Sequence, residues 1–95
     1  MVRVMARLTA RMGSEMALRT VLRDLLGPSR NETGCVSYDF FENEDNPLEF
    51  VSVEQWRDQA AAEAHLATPH VATAIARAGE LLAQAPLIQR FRELA

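Results

Sequence analysis

Three observations predict an α+β domain for this 95-residue chain. Val2, Val4, Ala6 and Leu8 alternate with more polar neighbours at a period of two. Apolar residues recur at helical spacing in Leu18, Val21, Leu22 and Leu25, and again in Val71, Ala74, Ile75, Ala78 and Leu82. Between these two stretches lie two segments rich in aromatic and β-branched residues, separated by the turn cluster Asn43 to Pro47.

Each element follows in order. The alternation from Val2 to Thr9 predicts a first strand, broken by Gly13-Ser14, with Ser14 a plausible N-cap. Gly27-Pro28 is expected to stop the first helix, leaving Ser29 to Gly34 as loop. Val36 to Glu42 and Leu48 to Trp56 read as strands two and three, joined as a hairpin. Asp58 is expected to cap a short Ala-rich helix, Gln59 to Ala67. Thr68-Pro69 then reads as N-cap plus first position of another helix. Pro86 precedes a last strand, Leu87 to Arg92.

The result is β-α-β-β-α-β with the second helix split, the ferredoxin-like order, in one domain over residues 1–95. That order gives a four-stranded antiparallel sheet with helices on one face. The bare face would carry Val51 and Val53 beside Arg3, Met5 and Arg7. Apolar groups mixed with arginines suit a protein interface, so a homodimer pairing sheet to sheet is expected.

Composition bounds the function. Net charge is −3 with no basic cluster, so nucleic acid is not an expected partner. No apolar run approaches the length of a membrane span, and no leader pattern opens the chain. The single cysteine, Cys35, forbids an intrachain disulfide and fits a reducing cytoplasm. Cys35 itself reads as a small buried hydrophobe. All ten basic residues are Arg, which suggests a GC-rich bacterial genome.

The chemistry is expected around strand three. Alternation puts Phe50, Ser52, Glu54 and Trp56 on one face, assigned to the helix side. His65 shares a helical stripe with Ala61, and small residues above large ones are one way to leave a pocket. Trp56 and Tyr38 would contact a flat ring. Phe50, Ser52 and Glu54 would complete a substrate site. Each has a plainer use: Trp and Tyr rings pack cores, and Ala also brings helix close to sheet. His65 and His70 stand five residues apart across a helix break, not at the i, i+4 spacing of a helical zinc site, so no metal is expected. Either imidazole suits acid–base work near neutral pH. Nothing pairs Glu32 with Glu54 as in a glycosidase, and no phosphate loop or dinucleotide fingerprint is present, so no cofactor is expected.

Three stretches, Glu32-Thr-Gly34-Cys35-Val-Ser-Tyr38, Phe50-Val-Ser-Val-Glu54-Gln-Trp56 and His65-Leu-Ala-Thr-Pro-His70, together resemble the antibiotic biosynthesis monooxygenase family. The resemblance implies a ferredoxin-like protomer paired into a dimeric α+β barrel, with a pocket between sheet and helices. Within the family, anthrone oxygenases carry Asn-x-x-x-Trp on strand three; here Trp56 is kept and Ser52 stands at the Asn position. Glu54-Gln-Trp56 with Glu63-Ala-His65 to His70 resembles the quinol monooxygenase branch more closely. A third branch isomerises a phosphorylated sugar. Haem-degrading relatives use an Asn-Trp-His set, where this chain has Ala6, His65 and Ile75.

The expected function is a cofactor-independent monooxygenase using O2 on a small electron-rich aromatic: a quinol, anthrone or polyketide phenol. His65 or His70 would be the proton acceptor and Trp56 a catalytic ring. The alternatives are an isomerase or lyase on a small phospho-carbonyl compound, and a non-catalytic dimeric binding protein.

Overall fold

A computed structural model of the chain describes residues 1–95. The elements are β1 (Val2–Thr9), α1 (Glu15–Arg30), β2 (Cys35–Asn43), β3 (Asn46–Trp56), α2 (Gln59–Leu66), α3 (Pro69–Ala78) and β4 (Leu87–Phe91). The strands form one antiparallel sheet in the order β2-β3-β1-β4, the predicted ferredoxin-like arrangement. No helix is long and apolar enough to cross a membrane.

Register places the site residues. Val2, Val4, Ala6 and Leu8 of β1 stand opposite Trp56, Glu54, Ser52 and Phe50 of β3. Side chains alternate faces along a strand, so these two rows share the helix side of the sheet. On that side Val4, Leu8, Phe50 and Trp56 pack with Leu18, Val21, Leu22 and Leu25 of α1 and Val71, Ala74 and Ala78 of α3. The opposite face carries Val51 and Val53, with Met5 partly exposed and Phe41, Leu87 and Phe91 about half exposed.

The connections differ from expectation in instructive ways. Gly27-Pro28 does not stop α1, which runs on to Arg30. A glycine ends a helix by taking a positive φ, and in this chain only Gly13 does so, at 90°. Pro28 lies in the last turn, where its missing N–H leaves out one helical bond, and Asn31 still reaches the Gly27 carbonyl at 3.2 Å. Ser14 occupies the N-cap position of α1 but its hydroxyl caps nothing. The hairpin is tighter than the turn cluster suggests: Asn43 pairs with Asn46, and the Asn43 side chain accepts from the Asp45 N–H at 2.8 Å. Leu82 lies beyond the end of α3 and bridges to Ala10, so it belongs to the loop before β4 rather than to the helical stripe. Ile75, also expected in that stripe, is mostly exposed.

The split helix forms as its caps predict. Asp58 accepts from the Ala61 N–H at 2.8 Å, and this bond holds the Asp58 carboxyl below its ordinary range. The Thr68 hydroxyl accepts from Val71 N–H at the start of α3 and donates to the His65 carbonyl, tying the two helices together. Gly34 explains how close α2 sits: a Cβ there would come within 2.1 Å of the Ala61 Cβ. Only a glycine lets the start of β2 pass under that helix.

Candidate active site

Between sheet and helices lies a cavity of about 650 Å³. Its wall is mostly apolar, from Val4 and Leu8 of the sheet to Leu22, Val71 and Ala74 of the helices. Polar groups enter it at Tyr38, Ser52, Glu54 and His65, with Glu63 and Arg90 also on the wall. A cavity of this size with few convergent polar groups suits a small organic ligand.

Ser52, Glu54 and Trp56 form one hydrogen-bonded row along β3. The Ser52 hydroxyl donates to one Glu54 oxygen at 2.6 Å and the Trp56 indole N–H donates to the other at 3.0 Å. Ser52 Oγ also accepts from the Ala6 N–H at 3.0 Å, which locks it in place. Glu54 is buried, and these two donors satisfy its two oxygens. The one Ser52 O–H is thereby spent on Glu54, and its oxygen keeps one acceptor site free on the cavity wall.

Trp56 is completely buried and is not part of the cavity wall. The ring expected to stack a substrate instead stacks on His65, centroids 4.7 Å apart and tilted by 34°. Phe50 likewise is not on the cavity wall: it is buried in the core, paired with Leu8 across the sheet. Tyr38 does line the cavity, edge-on to Phe40, Trp56 and His65. Burial, with the Glu54 charge nearby, pushes the Tyr38 phenol well above its ordinary range, so it is a neutral hydroxyl there. Burial also raises the Cys35 thiol, helped by Glu32 and Glu54, although the side chain is only half-buried and not the buried hydrophobe expected.

The two histidines meet on a residue that sequence reasoning passed over. One oxygen of Glu32, in the α1–β2 turn, lies 2.6 Å from His65 Nδ1 and 2.8 Å from His70 Nε2. The three atoms lie within 4.8 Å of one another. Neighbouring ligands about 2.0–2.1 Å from a metal sit roughly 3 Å apart or more. The separations here are those of charge-assisted hydrogen bonds, and the arrangement is an imidazole pair sharing a carboxylate. His65 Nε2 has no partner, yet the one sealed and unpartnered side-chain polar atom in the chain is Ser29 Oγ. Nε2 is therefore not sealed, and His65 stands on the cavity wall. His70 does not reach the cavity; it borders a separate groove with Asp24, Thr73 and Arg77. The signal for Glu32 was weak in the sequence, since a carboxylate 33 residues from His65 is brought near only by the crossing of α1, β2 and α2.

Comparison with known proteins settles the family. The profile of the antibiotic biosynthesis monooxygenase family matches residues 1–77. The chain belongs to that family. A Mycobacterium tuberculosis protein named "Putative monooxygenase Rv0793" is 40% identical over 81 residues, 85% of this chain and 79% of its own. Its solved structure superposes with a TM-score of 0.92 at 35% identity, covering 99% of this chain and 95% of that one. PA3566 from Pseudomonas aeruginosa gives the same TM-score at 37% identity, covering 99% and 94% of the two chains. A Bacillus subtilis protein named "Putative monooxygenase YcnE" is 40% identical over 65 residues, 68% of this chain and 67% of its own.

Proposed function

We propose that this family member is a cofactor-independent monooxygenase that oxidises a small electron-rich aromatic, a quinol or an anthrone-type phenol. The observation that carries the proposal is the unpartnered Nε2 of His65, a residue on the wall of an apolar cavity, with Nδ1 held by Glu32. A carboxylate on Nδ1–H fixes the tautomer with a bare Nε2, the form a general base needs.

The aromatic enters with its ring against Tyr38, Phe40 and the aliphatic wall. His65 Nε2 removes a phenolic or benzylic proton. Glu54, on the cavity wall, orients the substrate's polar edge, while the neutral Tyr38 hydroxyl turns toward Ser29 and leaves its ring to the substrate. Without bulk water the resulting anion is electron-rich and passes one electron to O2. The superoxide and substrate radicals recombine as a C–O bond, giving a hydroperoxide. Loss of water from it leaves a carbonyl, so a CH2 and one O2 become C=O and H2O. Both electrons for the second oxygen atom come from the substrate.

Assembly is part of the proposal. Met5, Phe41, Leu87 and Phe91 leave a broad apolar surface on the sheet face away from the cavity, which fits a homodimer formed sheet to sheet. The rival phospho-sugar isomerase would need cations on the cavity wall. The one guanidinium there, Arg90, is already paired with Glu63 at 3.4 Å. Oxygen uptake is the test, measured with an electrode across hydroquinones, anthrones and phospho-sugars. Uptake with an aromatic supports the reading, and turnover of a phospho-sugar without uptake replaces it.

A further inference from the structure

The buried polar side chains of the cavity wall have spent their hydrogen-bond donors inside the protein. Resting on the reading of this cavity as the substrate site, we propose that its buried end offers acceptors alone. It thereby selects an aromatic by its O–H groups and turns away the carbonyl form of the same ring system, with Glu54 setting the preference.

Ser52 has one O–H, and Glu54 takes it at 2.6 Å. Its oxygen also accepts from the Ala6 N–H at 3.0 Å, so what is left of Ser52 is an acceptor site. Glu54, as a carboxylate, has no donor to give. One bond from Ser52 and one from Trp56 use about half of its roughly four lone-pair sites. His65 Nδ1 lies 2.6 Å from a Glu32 oxygen that can only accept, which puts a ring proton on Nδ1. The neutral ring then keeps a bare Nε2, and that atom is neither partnered nor sealed. Tyr38 turns its hydroxyl toward Ser29. The other side-chain donors on the wall belong to the exposed Gln84 and Arg90, and Arg90 is paired with Glu63 at 3.4 Å.

A ring hydroxyl at the buried end donates to Glu54 or His65 and so replaces the bond it made to water. A carbonyl there brings only lone pairs. Its oxygen loses water, meets other acceptors and stays unpaired, which is the costly way to bury a polar group. Changing C–OH to C=O therefore swaps a matched contact for an unmatched one. The reduced, electron-rich ring is held, and the electron-poor quinone of the same size does not fill the site. Glu54→Gln reverses the polarity at constant size. The amide oxygen still accepts from Trp56. The amide nitrogen can donate to Ser52 Oγ, which frees the Ser52 O–H and leaves a second amide N–H to give.

The test is isothermal titration calorimetry under nitrogen on the whole protein. It compares 2,3-dimethyl-1,4-naphthohydroquinone with 2,3-dimethyl-1,4-naphthoquinone, whose ring methyls block addition of the Cys35 thiol. Wild type should bind the hydroquinone at least about tenfold more tightly. Glu54→Gln should narrow that ratio by about tenfold or reverse it. Equal binding of the two compounds by wild type, or binding of neither, overturns the proposal, whether or not the variant folds. An unchanged ratio in a folded Glu54→Gln protein overturns it as well. Tight hydroquinone binding with no oxygen uptake once air is admitted would sink the monooxygenase reading and leave the preference standing.

Discussion

The Trp56 indole donates to the carboxylate of Glu54, 3.0 Å away and two residues earlier on the same strand. Residues at i and i+2 share a face of the sheet, so the pair is set by strand alternation alone. It explains why a fully buried Trp and a buried carboxylate occur side by side: each satisfies the other's polar group. The same indole carries His65 on its face, so one ring contacts both the buried carboxylate and the imidazole.

Trp56→Phe should therefore keep much of the packing and lose the bond. The buried carboxylate would be short of a donor, at a cost of roughly 1–3 kcal/mol. Trp56→Ala adds a cavity and should cost roughly 3–5 kcal/mol. Urea denaturation of both variants measures the difference. A Trp56→Phe protein as stable as wild type would mean that the Ser52 donor alone satisfies Glu54.

Gly34→Ala should destabilise the fold and weaken activity together, since α2 must move away and takes His65 with it. Overpacking of this kind costs about 1–3 kcal/mol. Ala61→Gly in the same chain removes the clashing methyl and should restore the melting temperature in part. No recovery in the double variant would show that the strain lies elsewhere.

Alkaline pH should loosen the protein through Tyr38. Its folded-state pKa is raised from the ordinary value of 10.0, so the unfolded chain ionises first. The stabilisation is complete below about pH 10 and is lost progressively as pH rises above it. Tyr38→Phe should lower stability near neutral pH little and flatten the alkaline decline. A decline of equal steepness in Tyr38→Phe would assign it to other groups.

His65→Ala should cost less stability than Trp56→Ala and abolish proton abstraction. Its rate should lose the pH dependence shown by wild type, measured on the same aromatic. Full rate with an unchanged profile would make His65 a packing residue.

Much of this was legible in the sequence because it depends on local periodicity. The strand alternation put Ser52, Glu54 and Trp56 on the helix side, and Asp58 and Thr68 cap where their residue types predict. Gly27-Pro28 misled because proline tolerates a helix's last turn when the glycine before it stays helical. The depth of Trp56 and Phe50 was hidden, since alternation gives the face of a side chain but not what lies above it. Glu32 was hidden for another reason. It sits in a turn, and its two bonds span 33 and 38 residues, so only the tertiary fold brings it to the histidines.

The central claim is that an oxygen atom from O2 enters a substrate held beside His65. The direct measurement is a single turnover under 18O2 with an anthrone or 1,4-naphthohydroquinone, followed by mass spectrometry of the product. The account predicts one labelled oxygen in the product with wild type and no enzymatic incorporation with His65→Ala. Product carrying only solvent oxygen, or equal labelling with His65→Ala, would contradict it.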